Sequence, residues 1–276
     1  MSDERELRPW AVDPDTVILL RLKKAQSALD RGDADLALVE AEELLEEAPA
    51  HADALLVVGR AALALHDAGM ARAAFEQVID QRAADVDALE GLAVARFESV
   101  DFPGSLESAR AAVAADPKRG RAWYYQGLAL ERVGPSDEAV RCFERAHTLE
   151  PAEHPLPRNF SETAWEDALA QGRKALPGPI RAFFSKVAFR WERFPDQAEL
   201  TERHPPLSPF SYALYEGTPP ERGDPWTELP RCVRLFRGNL RHGTRTTDEL
   251  AERIAEALMH EAAAWLGVLD PDAATD

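Results

Sequence analysis

The residues best suited to chemistry lie near the C-terminus, where His260 is followed directly by Glu261 in "ALMHEAAAWLGVLD", residues 257–270. A helix that carries His-Glu, and a second His four positions after the first, holds a zinc ion between two imidazoles. The Glu is then left to polarise a metal-bound water for amide hydrolysis. Here the second imidazole is missing, because position 264 is Ala. The dipeptide alone decides nothing, since a chain with seven His and abundant Glu produces one readily by chance. Its surroundings must separate the remnant of a metal site from an accident of composition.

The helix that positions the pair is well specified. Thr246 and Glu249 have capping-box spacing, and Gly267 stands where the helix should stop. Leu250, Ile254, Ala257, Leu258, Ala264 and Trp265 recur at helical period as one apolar stripe. At about 100° per residue, Glu261 falls near the middle of that stripe and His260 at its edge. A carboxylate in such a place is costly without a partner or a role.

Upstream, "FSETAWEDALAQGRKAL" (160–176) reads as a helix with Thr163 and Glu166 as a capping box, ended by Pro177-Gly178-Pro179. "KVAFRWERF" alternates Val187, Phe189 and Trp191 with Lys186, Arg190 and Glu192, the pattern of a half-buried strand. Two more short strands are expected around "SYALYEG" and "CVRLFRG", across a Pro- and Gly-rich loop. Residues 160–276 therefore read as a small α+β domain.

The order of these features resembles the minimal zincin metallopeptidase family. The stretches "LYEGTPPERG" (214–223), "LPRCVRLFRGNL" (229–240) and "HEAAAWLGVLD" (260–270) carry the likeness. That family's helix motif, H-E-x-x-H-x-x-G-x-x-D, implies His260 and Asp270 as zinc ligands and Glu261 as general base, and Gly267 matches as well. Ala264 breaks the pattern at a ligand position and has no donor atom, while the ring N–H of Trp265 cannot ligate a metal. Because a catalytic zinc takes three protein ligands and keeps a fourth position open, the resemblance implies a degenerate site. In that reading no cofactor is held, and His260 and Asp270 are vestigial. The alternative is a zinc-dependent peptidase whose missing ligand arrives from His242 or His204.

The first half of the chain is periodic. In "RAWYYQGLALERVGPSDEAVRCFERAHTLEP", Trp123, Gly127, Gly134, Ala139, Phe143, Ala146 and Pro151 stand at offsets of 4, 7, 5, 4, 3 and 5. Correlates recur one period of 34 residues earlier at Leu89, Ala93, Phe102, Ala112 and Pro117. Two periods earlier they are Leu55, Gly59, Ala71 and Phe75, and three earlier Ala25, Gly32, Ala37 and Pro49. This pattern resembles the tetratricopeptide repeat (TPR) family. Short side chains such as Gly127 and Ala139 fall where the two helices of a repeat cross, and each Pro stops a second helix. The fold expected is an all-α TPR superhelix of about four helical hairpins followed by the α+β zincin-like domain. Its parts are a tail over 1–14, repeats over 15–151, a Pro-rich linker over 152–159 and the domain over 160–276.

Such arrays bind an extended or helical segment of another protein along a groove formed by the first helix of each repeat. The groove positions singled out here are Leu56, Arg60, Glu90, Val94, Phe97, Arg121, Tyr124 and Leu128. The Lys and Asn set with which some family members clamp a C-terminal carboxylate is absent. The run "EAEELLEE" (40–47) is expected to be a solvated outward face, with a basic partner as the alternative.

Charge narrows the partners. The chain of 276 residues has net charge −17, with 29 acidic against 17 basic residues in 1–150 and 20 against 15 in 151–276. Neither nucleic acid nor an anionic membrane suits that balance, since phosphate contacts need clustered Lys and Arg. No apolar run approaches the roughly 20 residues of a membrane span, and the N-terminus lacks a signal sequence, so a cytoplasmic location is expected. The preference for Arg over Lys and the abundance of Ala suggest a bacterial source. Cys142 and Cys232 are far apart and read as packing residues. The function expected is a protein-binding adaptor with a catalytically inactive zincin-like domain.

Overall fold

The computed structural model describes residues 13–202, 207–220 and 225–267. The chain divides into two compact units, Met1–Pro117 and Lys118–Asp276. In the first, α1 (Pro14–Asp30), α2 (Ala34–Glu47), α3 (Ala52–Ala64), α4 (Ala68–Gln81), α5 (Val86–Glu98) and α6 (Phe102–Ala115) pair into three hairpins. The second begins with a fourth hairpin, α7 (Gly120–Val133) and α8 (Ser136–Leu149). Then follow α9 (Glu162–Ala175), α10 (Gly178–Phe184), β1 (Ala188–Glu192), α11 (Gln197–Glu202), β2 (Ala213–Glu216), β3 (Cys232–Phe236), α12 (Arg237–Leu240) and α13 (Thr247–Trp265).

The period is visible in the backbone. The second helices start at Ala34, Ala68, Phe102 and Ser136, each one period of 34 after the last. Asp33, Asp67 and Asp101 cap three of them, accepting from the N–H of Leu36 at 3.2 Å, Met70 at 2.8 Å and Gly104 at 3.0 Å. The fourth has Pro135 at this place, which offers no side-chain acceptor. One residue before each Asp, the chain turns through positive φ: Gly32 at 79°, His66 at 59° and Val100 at 64°. Only the first of these is the residue type that the left-handed region favours.

Packing explains the spacing of the glycines. The ring of Phe75, fully buried on α4, lies where a Cβ on Gly59 of α3 would approach to 2.6 Å and one on Gly91 of α5 to 2.3 Å. One aromatic ring thus joins two consecutive hairpins. Phe143 covers Gly127 in the same way within the fourth. Most of the glutamate run faces outward as expected, with Glu42, Glu43, Glu46 and Glu47 exposed, and Glu40 is the exception. Glu40 is buried beside Lys24, and Glu43 and Glu47 lie 2.6 and 3.6 Å from Arg21. The first helix supplies the cations that a pattern read on the second helix alone leaves out.

In the second unit the three strands run in the order β1-β3-β2. β1 is parallel to β3, with Ala188 opposite Cys232, and β2 is antiparallel to it, with Tyr215 opposite Val233. Trp165 and Leu169 of α9, Phe183 and Phe184 of α10, Val233 and Leu235 of β3, and Leu250, Ile254 and Leu258 of α13 form one core. Helices α9 and α13 meet at Gly172, where an added Cβ would stand 2.7 Å from the carbonyl oxygen of Ala251. Two local expectations are corrected. Ser161, not Thr163, caps α9, because its hydroxyl accepts the Ala164 N–H at 3.2 Å and the helix is already formed at Glu162. Glu166 instead accepts the Trp191 indole N–H at 2.9 Å. The Pro177-Gly178-Pro179 stretch ends α9 and also starts α10, since its prolines occupy the N-cap and first turn, where no N–H is needed.

Candidate functional site

Helix α13 is held at its start by Thr246, which accepts the Glu249 N–H at 3.1 Å, while the Glu249 carboxylate reaches back to the Arg245 N–H at 2.6 Å. Its buried face runs from Leu250 and Ile254 through Leu258 to Glu261 and Trp265. Glu261 is 6% exposed. Its carboxylate accepts the backbone N–H of Tyr215 in β2 at 2.8 Å. Strand β2 is an edge strand, and the carbonyls of Tyr212 and Glu216 bond toward β3 through the N–H groups of Phe236 and Arg231. By alternation, the Tyr215 N–H points away from the sheet. Glu261 therefore satisfies a donor that a further strand would otherwise take.

His260 lies on the open side of the helix with its side chain 67% exposed, and its Nδ1 is 3.7 Å from Glu261. Hydrogen bonding and then charge from that carboxylate raise the imidazole pKa above its ordinary value against the opposing effect of burial. One turn on, Ala264 offers no donor. Trp265 is buried, gives its indole N–H to the Glu228 carbonyl at 2.9 Å and meets Tyr215 edge-on at 5.0 Å. Gly267 has φ +67°, the left-handed turn expected at the helix end. Asp270 and His204 lie outside the described residues. His242 is engaged elsewhere, its Nε2 2.7 Å from Glu131.

Among the described residues, no group of three or more His, Cys, Asp or Glu could hold a metal ion. The described residues do not by themselves supply the ligands of a catalytic zinc. One imidazole stands beside a carboxylate that accepts a backbone donor, and the next ligand position is a methyl group.

The groove positions separate into two kinds. In the first unit, Leu56 and Glu90 are half-buried, and Arg60 is exposed with Asp87 at 3.2 Å. Val94 and Phe97 are interior: they are 1% and 0% exposed, and the Phe97 ring packs on Phe102 at 5.1 Å. Leu128, in the second unit, is likewise interior at 3%. Counting positions along one helix assigned these three to a face that tight helix packing closes.

Tyr124 is covered by its own chain. His154 stacks on its ring at 4.8 Å and 15°, and His242 stands edge-on at 6.1 Å. Burial pushes the phenol pKa up. Beside it, Glu131 is bound by Arg241 and by the His242 imidazole. Burial opposes the charge on Glu131, but those two partners outweigh it and hold the carboxyl below its ordinary range. Arg132 donates to the Pro209 carbonyl at 2.8 Å and to Asn239 Oδ1 at 2.7 Å, with Phe194 3.7 Å beneath its guanidinium. Arg121 is exposed, 5.9 Å from the Tyr125 ring. This face of the fourth hairpin is thus covered by His154, Phe194, Pro209, Asn239, Arg241 and His242 of the same unit. Reading the repeats in isolation missed Glu131, Arg132, Asn239 and Arg241 as joining residues. The density of Arg in "RLFRGNLRHG", within so acidic a chain, was the available signal.

Comparison with known proteins finds two families in the chain, and the repeat match extends through the fourth hairpin. Residues 22–85, 59–119 and 95–153 match the tetratricopeptide repeat family, and residues 184–275 match the family described as zincin-like metallopeptidase. The chain carries tetratricopeptide repeats and a zincin-like metallopeptidase domain. No curated protein matches this TPR and zincin-like chain. Among solved structures it is similar to "Crystal structure of MamA protein", at 18% identity and TM-score 0.45, over 50% of this chain and 75% of that one. It is also similar to MamA from Desulfovibrio magneticus RS-1, at 25% identity and TM-score 0.44, over 49% and 76%. A third is YrrB, titled "a TPR protein with an unusual peptide-binding site", at 14% identity and TM-score 0.44, over 50% and 72%.

Proposed function

We propose that this protein is a non-catalytic adaptor whose tetratricopeptide repeats bind a segment of another protein and whose zincin-like domain does no hydrolysis. The observation that carries the reading is the bond from Tyr215 N–H to Glu261. A general base must be aimed at a bound water, whereas this carboxylate is buried and turned to the edge of β2, and position 264 supplies no ligand. The partner surface lies on the repeats of the first unit, at Leu56, Arg60 and Glu90, where side chains reach solvent; its acidic balance suits a basic segment. The functional division follows the sequence boundaries, with repeats over 15–151, a linker over 152–159 and the domain over 160–276. A cytoplasmic, bacterial setting belongs to the same proposal, and no helix among the described residues is long and apolar enough to cross a membrane.

The family match at residues 184–275 favours one other reading, a zinc peptidase with an altered ligand set. That reading needs further ligands from outside the described residues, where Asp270 lies. Metal analysis separates the two. Protein purified without chelator is expected to hold far less than one zinc per chain and to cleave no peptide. Stoichiometric zinc that disappears in His260→Ala, with peptide hydrolysis that disappears in Glu261→Gln, would overturn the adaptor.

A further inference from the structure

A cavity of about 300 Å³ in the second unit is walled by Arg158, Arg193, Arg237 and Arg241 together with the rings of Phe160 and Trp165. Four guanidinium groups around one small space are unexpected in a chain of net charge −17, because like charges brought together repel unless something negative lies among them. Two of the four have carboxylate partners. Arg237 holds Glu162 through both terminal nitrogens at 2.7 Å each, and Arg241 holds Glu131. The other two bond neutral acceptors: Arg158 the Arg245 carbonyl, and Arg193 the Ser136 hydroxyl at 3.2 Å.

We propose that this cavity binds a phosphate-type dianion. Two guanidinium charges without carboxylate partners match a phosphate monoester, which carries about −1.5 to −2 at pH 7. A carboxylate would leave one of them uncompensated. Arginine's planar fork of donors suits phosphate oxygens. Three features limit the size and kind of the ligand. Gly238 closes one wall, since a Cβ there would stand 2.1 Å from the Phe194 ring. Phe160 and Trp165 give the cavity an apolar side, against which the organic part of an ester can rest. Its volume exceeds that of a lone phosphate, which leaves room for that part.

Calorimetric titration of the full chain with inorganic phosphate, phenyl phosphate and benzoate, at matched ionic strength, tests the proposal. Phenyl phosphate is expected to bind, and benzoate at least about tenfold more weakly. Inorganic phosphate binding as tightly as the ester would support the site with free phosphate as its ligand, and weaker binding would support an aromatic ester. Arg158→Gln combined with Arg193→Gln is expected to weaken binding by roughly tenfold or more, the scale of losing hydrogen bonds to a charged group. Arg190→Gln, on the exposed side of β1, is expected to leave binding unchanged. If the double glutamine variant does not fold, Arg158→Lys and Arg193→Lys keep the charge and remove the fork, and should still weaken binding. Binding of neither phosphate, or binding that survives these substitutions, would overturn the site.

Discussion

The carboxylate of Glu261 and the backbone N–H of Tyr215 meet at 2.8 Å, a side chain of α13 bonded to the outer edge of strand β2. The contact gives a buried charge its acceptor role without a metal.

Glu261→Ala should leave the Tyr215 N–H without its acceptor and open a void in the core face of α13. The expected loss is about 1–3 kcal/mol in chemical denaturation. Glu261→Gln keeps an amide oxygen in place and should cost less. Equal losses in the two variants would show that the bond contributes nothing.

The same carboxylate raises the pKa of His260. A raised folded-state pKa gives stability that is fully present below the unfolded value of about 6.5 and is lost as pH rises through the folded value. An NMR titration should place the His260 transition above that of a solvated imidazole, and Glu261→Gln should lower it.

Glu131 behaves in the opposite sense. Its carboxyl is held below the ordinary range, so its contribution is present above about pH 4.5 and fades as pH falls through the depressed folded value. Stability of the second unit, followed by tryptophan fluorescence between pH 3 and 6, should fall less steeply in Glu131→Gln than in the wild-type chain.

A metal-binding gain tests the family assignment from another side. Ala264→His restores the two-imidazole spacing with His260 and should bring measurable zinc affinity, read by calorimetry. Peptide hydrolysis is not expected to follow while Glu261 stays buried against the edge of β2.

His66 is exposed and has φ 59°, at the position where the first repeat has Gly32. His66→Gly should raise stability by up to about 1 kcal/mol, because a side chain in the left-handed region carries a cost of that order. A lower melting temperature would show that the turn is held by the imidazole itself.

The repeats were legible because their contacts are local: a Gly, an Asp cap and a Phe at fixed offsets meet within one hairpin or the next. Strand β1 was legible from alternation, while β2 and β3, whose burial does not alternate, were marked only as short segments on either side of a Pro- and Gly-rich loop. The groove was not, because burial of Val94, Phe97 and Leu128 depends on which neighbours close over a face, and a helical wheel contains no neighbours. The pattern of α13 exposed the odd carboxylate at Glu261 but could not name its partner. That partner is a backbone N–H, the same on every residue and therefore silent in a sequence. Thr163 has the fuller capping motif, but Ser161 is the first hydroxyl to reach a free N–H and so starts the helix.

Glu131 and Arg132 find their partners as many as 111 positions later in the chain, at Pro209, Asn239, Arg241 and His242. During synthesis, at about 5–20 residues per second, that separation amounts to on the order of 10 s. For that interval the three hairpins of the first unit can already be complete, while the fourth has its helices but keeps its acidic and basic side chains in water. The last hairpin is therefore completed not when its own two helices have been made but only after α12 has left the ribosome.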